Sequence, residues 1–232
     1  MVSPVDAEPL KRAAAAAAVE EVQAGMVVGL GTGSTAAHVV QILGPRVAAG
    51  LDIVAVATSR ATEVAARAAG LRLLPPDERT AIDLCIDGVD EIDPGLRAIK
   101  GGGGAMLLEK IVATLARRNI AIADASKQVE RLGARAVPIE ILPAARGLVC
   151  REIMRLGGAP ALRLRDGAPW VTDAGHHILD ARFPTLADPT ALAAALSAIP
   201  GALGHGLFLT EIDALYVAGS DGVTRQERPI DE

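Results

Sequence analysis

The chain has 232 residues, half of them apolar but only 2% aromatic, and a formal net charge of −5. That length buries one large core or two small ones, and a core of Ala, Val, Leu and Ile favours helices packed closely on a sheet. The charge argues against a broad nucleic-acid surface, which needs clustered Lys and Arg, and no stretch approaches the ~20 apolar residues of a membrane span.

In chain order, an Ala-rich amphipathic pattern predicts a helix from Pro9 to Ala24, with Gly25 as its stop. A short apolar strand, Met26 to Leu30, then leads into the loop Gly29-Leu-Gly31-Thr32-Gly33-Ser34-Thr35 and a helix from Ala36 to Leu43. Leu51 to Ala57 reads as a second strand, Thr58-Ser59-Arg60 as the start of a helix to Ala69, and Leu71 to Leu74 as a third strand. Ala81 to Ile86 is a fourth, a helix runs from Ala105 to Arg118, and Asn119 to Ala123 is a fifth strand. Strands alternating with helices predict an α/β fold with a Rossmann-like, mostly parallel sheet and ligands at the strands' carboxyl ends. Beyond Gly133 the segments shorten: strands at Val137 to Leu142, Ala161 to Arg165, Trp170 to Thr172 and His177 to Ala181, with helices at Ala144 to Leu156 and Pro189 to Ile199. These predict a smaller α+β domain over 133–203. Gly206 to Val217 alternates again and is expected to return to the first sheet, so residues 1–132 and 204–232 form the larger domain.

Four strand ends carry chemistry. In the first loop, glycines let backbone N–H groups approach an anion at a helix N-terminus, and Thr32, Ser34 and Thr35 add hydroxyls. A dinucleotide is disfavoured because the third glycine is replaced by Ser34 and no acid follows the second strand; a tight turn without ligand is the plain alternative. Asp87-Gly88-Val89-Asp90-Glu91 places three carboxylates in five residues, where burial is costly unless they are paired or protonated. Proton transfer explains that cost; a solvated acidic turn explains the segment equally well on its own. Metal is not expected there, because no His lies near and no Ca²⁺-loop spacing follows.

Lys100 precedes Gly101-Gly102-Gly103-Gly104 and a helix carrying Glu109. Four successive glycines cost roughly 0.5–1 kcal/mol each against alanine in a regular element, a cost that makes sense where bare N–H groups meet an oxyanion. A buried Glu109 would be shifted toward neutrality and suit a general base. A flexible hinge before an ordinary helix is the alternative. Lys127, in Ala123-Asp124-Ala125-Ser126-Lys127, is placed for a phosphate or hydroxyl, or is a plain surface lysine. Cys85 and Cys150 lack any paired spacing and read as buried free thiols, and the four histidines as structural or solvent-facing.

The segments GLGTGSTAA (29–37), TSRAT (58–62), DLCIDGVDEID (83–93), IKGGGGAMLLEKIVA (99–113) and ADASKQVERLG (123–133) closely resemble type A ribose-5-phosphate isomerases. So, in order, do PIEILP (138–143), VTDAGHHILD (171–180), IPGALGHGLF (199–208) and GSDGV (219–223). The resemblance implies interconversion of ribose 5-phosphate and ribulose 5-phosphate through a cis-enediolate, in the pentose phosphate pathway, without metal or organic cofactor. It implies Glu109 as the base, and Lys100 with the amides of Gly101, Gly102 and Gly103 as the stabilisers of developing charge. It implies Asp87 and Asp90 at the sugar for ring opening and hydroxyl contacts, and Thr32, Gly33, Ser34, Thr35, Gly88, Val89 and Lys127 as substrate contacts. Lys11 is a further candidate for the same ligand. A cytoplasmic homodimer or homotetramer follows from the same resemblance, with a sugar phosphate as the only partner and neither nucleic acid nor membrane. A sugar-phosphate sensor on this fold would need the anion loop but not Glu109, Asp87 and Lys100 together.

Overall fold

The structure is a computed structural model that describes residues 4–76 and 81–228. The first half runs α1 (Pro4–Val19), β1 (Val27–Leu30), α2 (Ser34–Ala48), β2 (Val54–Ala57), α3 (Arg60–Ala68), β3 (Arg72–Leu73) and β4 (Leu84–Gly88). It continues through β5 (Glu91–Ile92), β6 (Ala98–Ile99), α4 (Met106–Leu115) and β7 (Asn119–Asp124). The second half comprises β8 (Val137–Ile141), α5 (Arg146–Arg155), β9 (Ala159–Leu162), β10 (Leu164–Arg165), β11 (Ala168–Pro169), β12 (His177–Arg182), α6 (Pro189–Ser197) and β13 (Ala202–His205). It closes with β14 (Leu207–Phe208), β15 (Ala214–Gly219) and β16 (Gly222–Glu227).

The main sheet has the order β16-β15-β7-β4-β1-β2-β3 and is parallel except at the β16 edge. The chain builds outward from β1 through β2 to β3, then crosses back to place β4 on the other side of β1. That reversal opens a crevice beyond the carboxyl ends of β1 and β4, the position where open α/β sheets bind ligands. Helices α1 and α2 cover one face, and Val19, Val40 and Leu43 are buried there against Val28, Ile86 and Ile122. On the other face Val112 of α4 packs on Val56, Ile82 and Cys85.

A second sheet, β13-β8-β12-β9, is antiparallel and buries Ile139, Ile141 and Leu179 against Val149 and Ile153 of α5 and Leu196 of α6. A third, β14-β6-β5, is only two residues deep per strand. It carries the chain from the acidic turn to Lys100. Among the described residues no helix is long and apolar enough to cross a membrane.

Several elements differ from the sequence expectation. Helix α1 ends at Val19, not Ala24, and a turn follows. Val22 is drawn into the core, while Glu21 is held by Arg118 (2.8 Å) and Tyr216 (2.6 Å), so the chain leaves the helical path early. Residues 170–172 form no strand. Instead β10 and β11 make a hairpin across Asp166 and Gly167, whose φ values of 53° and 79° match a two-residue turn with both φ positive. The stretch 206–217 is broken into β14 and β15, and only β15 returns to the main sheet, beside β7. Helix α4 is shorter at its C-terminal end than expected, stopping at Leu115 so that Asn119 can begin β7. Of the two free thiols, Cys85 is buried and Cys150 only half-buried.

Candidate active site

The loop from β1 to α2 lies directly over the end of β4. A Cβ on Gly31 would sit 1.9 Å from Asp87 Oδ1, so a side chain there cannot coexist with the carboxylate. The Thr32 N–H instead donates to Asp87 Oδ1 (3.1 Å). Gly33 turns with φ of 101° and is the N-cap of α2, with no side chain among the described residues capping the helix. The first amides of α2 therefore have no capping side chain, which is the arrangement that attracts anions. The Thr32 hydroxyl faces away, bonded to Thr58 Oγ1 (2.8 Å), whereas Ser34 Oγ is contacted by Lys11 Nζ (3.1 Å).

Asp87 belongs to β4 itself, one residue before its end, not to the turn after it. Its Oδ1 also accepts from the Gly88 N–H (2.7 Å), and its Oδ2 meets Lys100 Nζ at 2.9 Å. Lys100 leaves β6 with its own N–H bonded to Gly206 O (2.8 Å), and its ammonium also donates to Gly88 O and sits 3.3 Å from Glu109 Oε2. Glu109 comes from the first turn of α4 and is 4% exposed. Among the described residues its buried Oε2 has no hydrogen-bond partner, the Lys100 ion pair aside.

Two buried carboxylates thus share one buried ammonium. Glu109 is raised to about 8, chiefly by burial, with Lys100 pulling it down in part and Asp87 adding to the rise. Asp87 is likewise raised by burial, against the pull of Lys100 and the Gly88 and Thr32 amides. Burial alone would lower Lys100, but the two carboxylates outweigh it and hold the lysine charged well above its ordinary range.

The glycine loop closes the site. Gly101 and Gly104 have φ of 102° and 81°, a region that side-chain-bearing residues rarely adopt. Gly102 N–H donates to Asp90 Oδ2 at 2.7 Å. Lys127 stands in a single turn after β7 that Asp124 caps through the Ser126 N–H (3.0 Å). A cleft of about 110 Å³ gathers these groups: Thr32 to Thr35, Gly88 to Asp90, Lys100 to Gly103, Glu109, Lys127 and also Lys11. Asp87 lies just behind its wall, beside a void of about 20 Å³ that Lys100 and Glu109 also border. A larger cleft of about 580 Å³ between α3, α4 and the 172–174 turn contains none of Asp87, Asp90, Lys100 or Glu109.

The sequence reading missed part of the surroundings. Phe208 lies under the cluster, its ring centroid 5.3 Å from Lys100 Nζ and 4.2 Å from Lys110 Nζ. It is one of two phenylalanines in the chain, which was the available signal. Arg163 and Trp170 of the second half reach the glycine loop, and nothing local marked them. Because Gly31 is closed against Asp87, Gly31→Ala is expected to destabilise the fold by about 1–3 kcal/mol and to lower activity by displacing that carboxylate. Thermal unfolding and kcat measured on the same sample check both effects.

Comparison with known proteins gives the family. The family model described as ribose 5-phosphate isomerase A (phosphoriboisomerase A) matches residues 54–222. A ribose-5-phosphate isomerase A of Rhodopseudomonas palustris (strain HaA2) is 48% identical over 228 residues, covering 95% of this chain and 98% of the relative. The ribose 5-phosphate isomerase A structure from Methanocaldococcus jannaschii superimposes with a TM-score of 0.91 at 36% identity, over 95% of this chain and 99% of that one. The Plasmodium falciparum ribose 5-phosphate isomerase does so with a TM-score of 0.93 at 34% identity, over 96% and 100%. With relatives matched along almost their whole length and a cleft of this chemistry at the sheet's switch point, the chain belongs to the ribose 5-phosphate isomerase A family and is an isomerase.

Proposed function

We propose that the protein interconverts ribose 5-phosphate and ribulose 5-phosphate through an enediolate, with Glu109 as the base. The observation that carries this reading is the buried Glu109 carboxylate on the cleft wall, one oxygen unpartnered and Lys100 3.3 Å away. Such a group takes a proton from carbon when a cation lies close enough to hold the charge that develops. In the open-chain aldose, Glu109 removes the C2 proton and the electron pair moves into the C1–C2 bond. The C1 oxygen takes the negative charge, which Lys100 and the glycine amides counter. The same carboxyl returns the proton to C1, while the O2 proton passes to O1 beside Asp87. Asp87 and Asp90 hold sugar hydroxyls and assist ring opening. The N-terminus of α2, Ser34 and Thr35, flanked by Lys11 and Lys127, receives the phosphate.

The reading extends to a cytoplasmic enzyme of the pentose phosphate pathway that needs no metal or cofactor. It also includes assembly as a homodimer or homotetramer and a division into a catalytic unit (1–132 with 204–232) and a smaller α+β unit (133–203). Turnover of ribose 5-phosphate by purified protein in EDTA tests it; folded protein that binds the sugar phosphate without turnover would instead point to a sensor.

The pH dependence follows from the burial of Glu109. The base works as a carboxylate, so activity falls as pH drops through its raised pKa, and kcat/KM is expected to rise with pH through an ascending limb near 8. That limb belongs to the Asp87–Lys100–Glu109 cluster as a whole. A limb at the ordinary carboxylate value of 4.5 would contradict it.

A further inference from the structure

The glycine loop is held from behind by the second half of the chain. Arg163 lies just past β9 and is aligned with β12, its N–H bonded to Ile178 O (2.9 Å). Its guanidinium grips Asp180 of β12 with two nitrogens, Nε at 2.8 Å from Oδ2 and Nη2 on Oδ1. The free edge turns to the loop: Nη1 donates to Gly101 O at 2.8 Å and to Gly102 O at 3.2 Å. With its side chain 12% exposed, Arg163 is mostly withdrawn from solvent. Trp170 adds a wall, since a Cβ on Gly104 would lie 3.0 Å from its ring, and Arg165 stacks on that ring at 3.8 Å.

In a trans peptide the C=O and the following N–H point in opposite directions. Fixing the carbonyls of Gly101 and Gly102 on the far side therefore aims the N–H groups of Gly102 and Gly103 at the cleft. The first meets Asp90, and the second donates to no protein acceptor among the described residues. Glycines cannot hold this orientation by themselves, because their backbone is the least restricted of all.

We propose that Arg163, locked by Asp180, is a positioning residue for the isomerisation: it pins the carbonyl side of the glycine loop so that the amide side faces the reacting oxygens. This rests on the reading that those amides counter enediolate charge. A bidentate Asp180 contact that leaves one nitrogen bridging two carbonyls suits a planar fork and not an ammonium.

Arg163→Met, Arg163→Lys and Asp180→Asn, assayed beside wild type and Glu109→Gln, test it. Misaiming a group by about 1 Å costs on the order of 10²-fold, so Arg163→Met is expected to lower kcat about 10- to 100-fold with KM changed less than about threefold. Arg163→Lys should recover only part of the loss, and Asp180→Asn should show a smaller loss of the same kind. Binding of an aldonate phosphate, whose planar carboxylate mimics the enediolate, should weaken in step with kcat/KM, while inorganic phosphate binds as before. A folded Arg163→Met with unchanged kcat, or a loss carried by KM, overturns the proposal. If Arg163→Met does not fold, Asp180→Asn decides by the same criteria. Collapse in Glu109→Gln with normal Arg163 and Asp180 variants removes this proposal alone; full activity in Glu109→Gln removes the base assignment first.

Discussion

Glu109→Gln is expected to lower kcat by at least about a hundredfold while leaving KM nearly unchanged, since a positioned general base contributes roughly 10²–10⁴ in rate. The substitution keeps size and shape, so the packing of α4 is preserved. It removes a carboxylate that burial already disfavours, and Lys100 retains Asp87 at 2.9 Å as its counter-charge. The folded state should therefore survive, and the loss should fall on the chemical step. Steady-state kinetics with a thermal melt of the same sample reads both. A fall in kcat of less than about tenfold would mean that another group moves the proton.

Lys100→Met carries the second large effect. Its ammonium contacts Asp87, Glu109 and the Gly88 carbonyl at once, and its exposure is only 5%. Removing a donor aimed at developing negative charge costs about 10²–10³ in kcat. Because the charge matters most at the enediolate, kcat should fall more than KM rises. A second signature separates this from a packing defect. Lys100 holds the Glu109 pKa down, so without it the ascending limb of the pH profile should move to still higher pH. Asp87 and Glu109, left facing each other, should then share a proton over a wider range. Equal losses in ground-state and transition-state binding, with an unmoved limb, would assign Lys100 to substrate binding alone.

The candidate site was more legible in the sequence than the frame around it, for a physical reason. Strand ends with glycines, clustered carboxylates or lysines are costly to fold unless they serve chemistry, so Asp87, Lys100, Gly101 to Gly103 and Glu109 stood out from their neighbours. The structure brings all but Asp87 onto one cleft wall, with Asp87 one layer behind. The strong alternation of strands and helices likewise announced the parallel sheet. The two-residue strands β5, β6 and β14 escaped because so short a segment has no periodicity. The edge strand β16 is mostly exposed and polar, and it lacks a buried face to read. Arg163 gave no signal, because the glycine-loop carbonyls it holds lie 61 and 62 residues away in the chain and its sequence surroundings look like a surface hairpin.

The larger cleft has a related lesson. Its size comes from apolar side chains such as Leu107, Leu108 and Ile111 and from the Pro75-Pro76 turn, whereas the cleft proposed as the active site is small and polar. A site for a five-carbon sugar phosphate needs donors and charge more than volume, so size alone would point away from Asp87, Lys100 and Glu109.

Isotope exchange shows whether Glu109 moves a proton between carbons through an enediolate. Ribose 5-phosphate is incubated with wild-type enzyme and with Glu109→Gln in D₂O, and deuterium is followed by NMR at C1 of ribulose 5-phosphate and C2 of recovered ribose 5-phosphate. Incorporation is expected at both carbons with the wild type and none over the same interval with the variant. Exchange that persists in the variant at the wild-type rate would contradict this and place the base elsewhere.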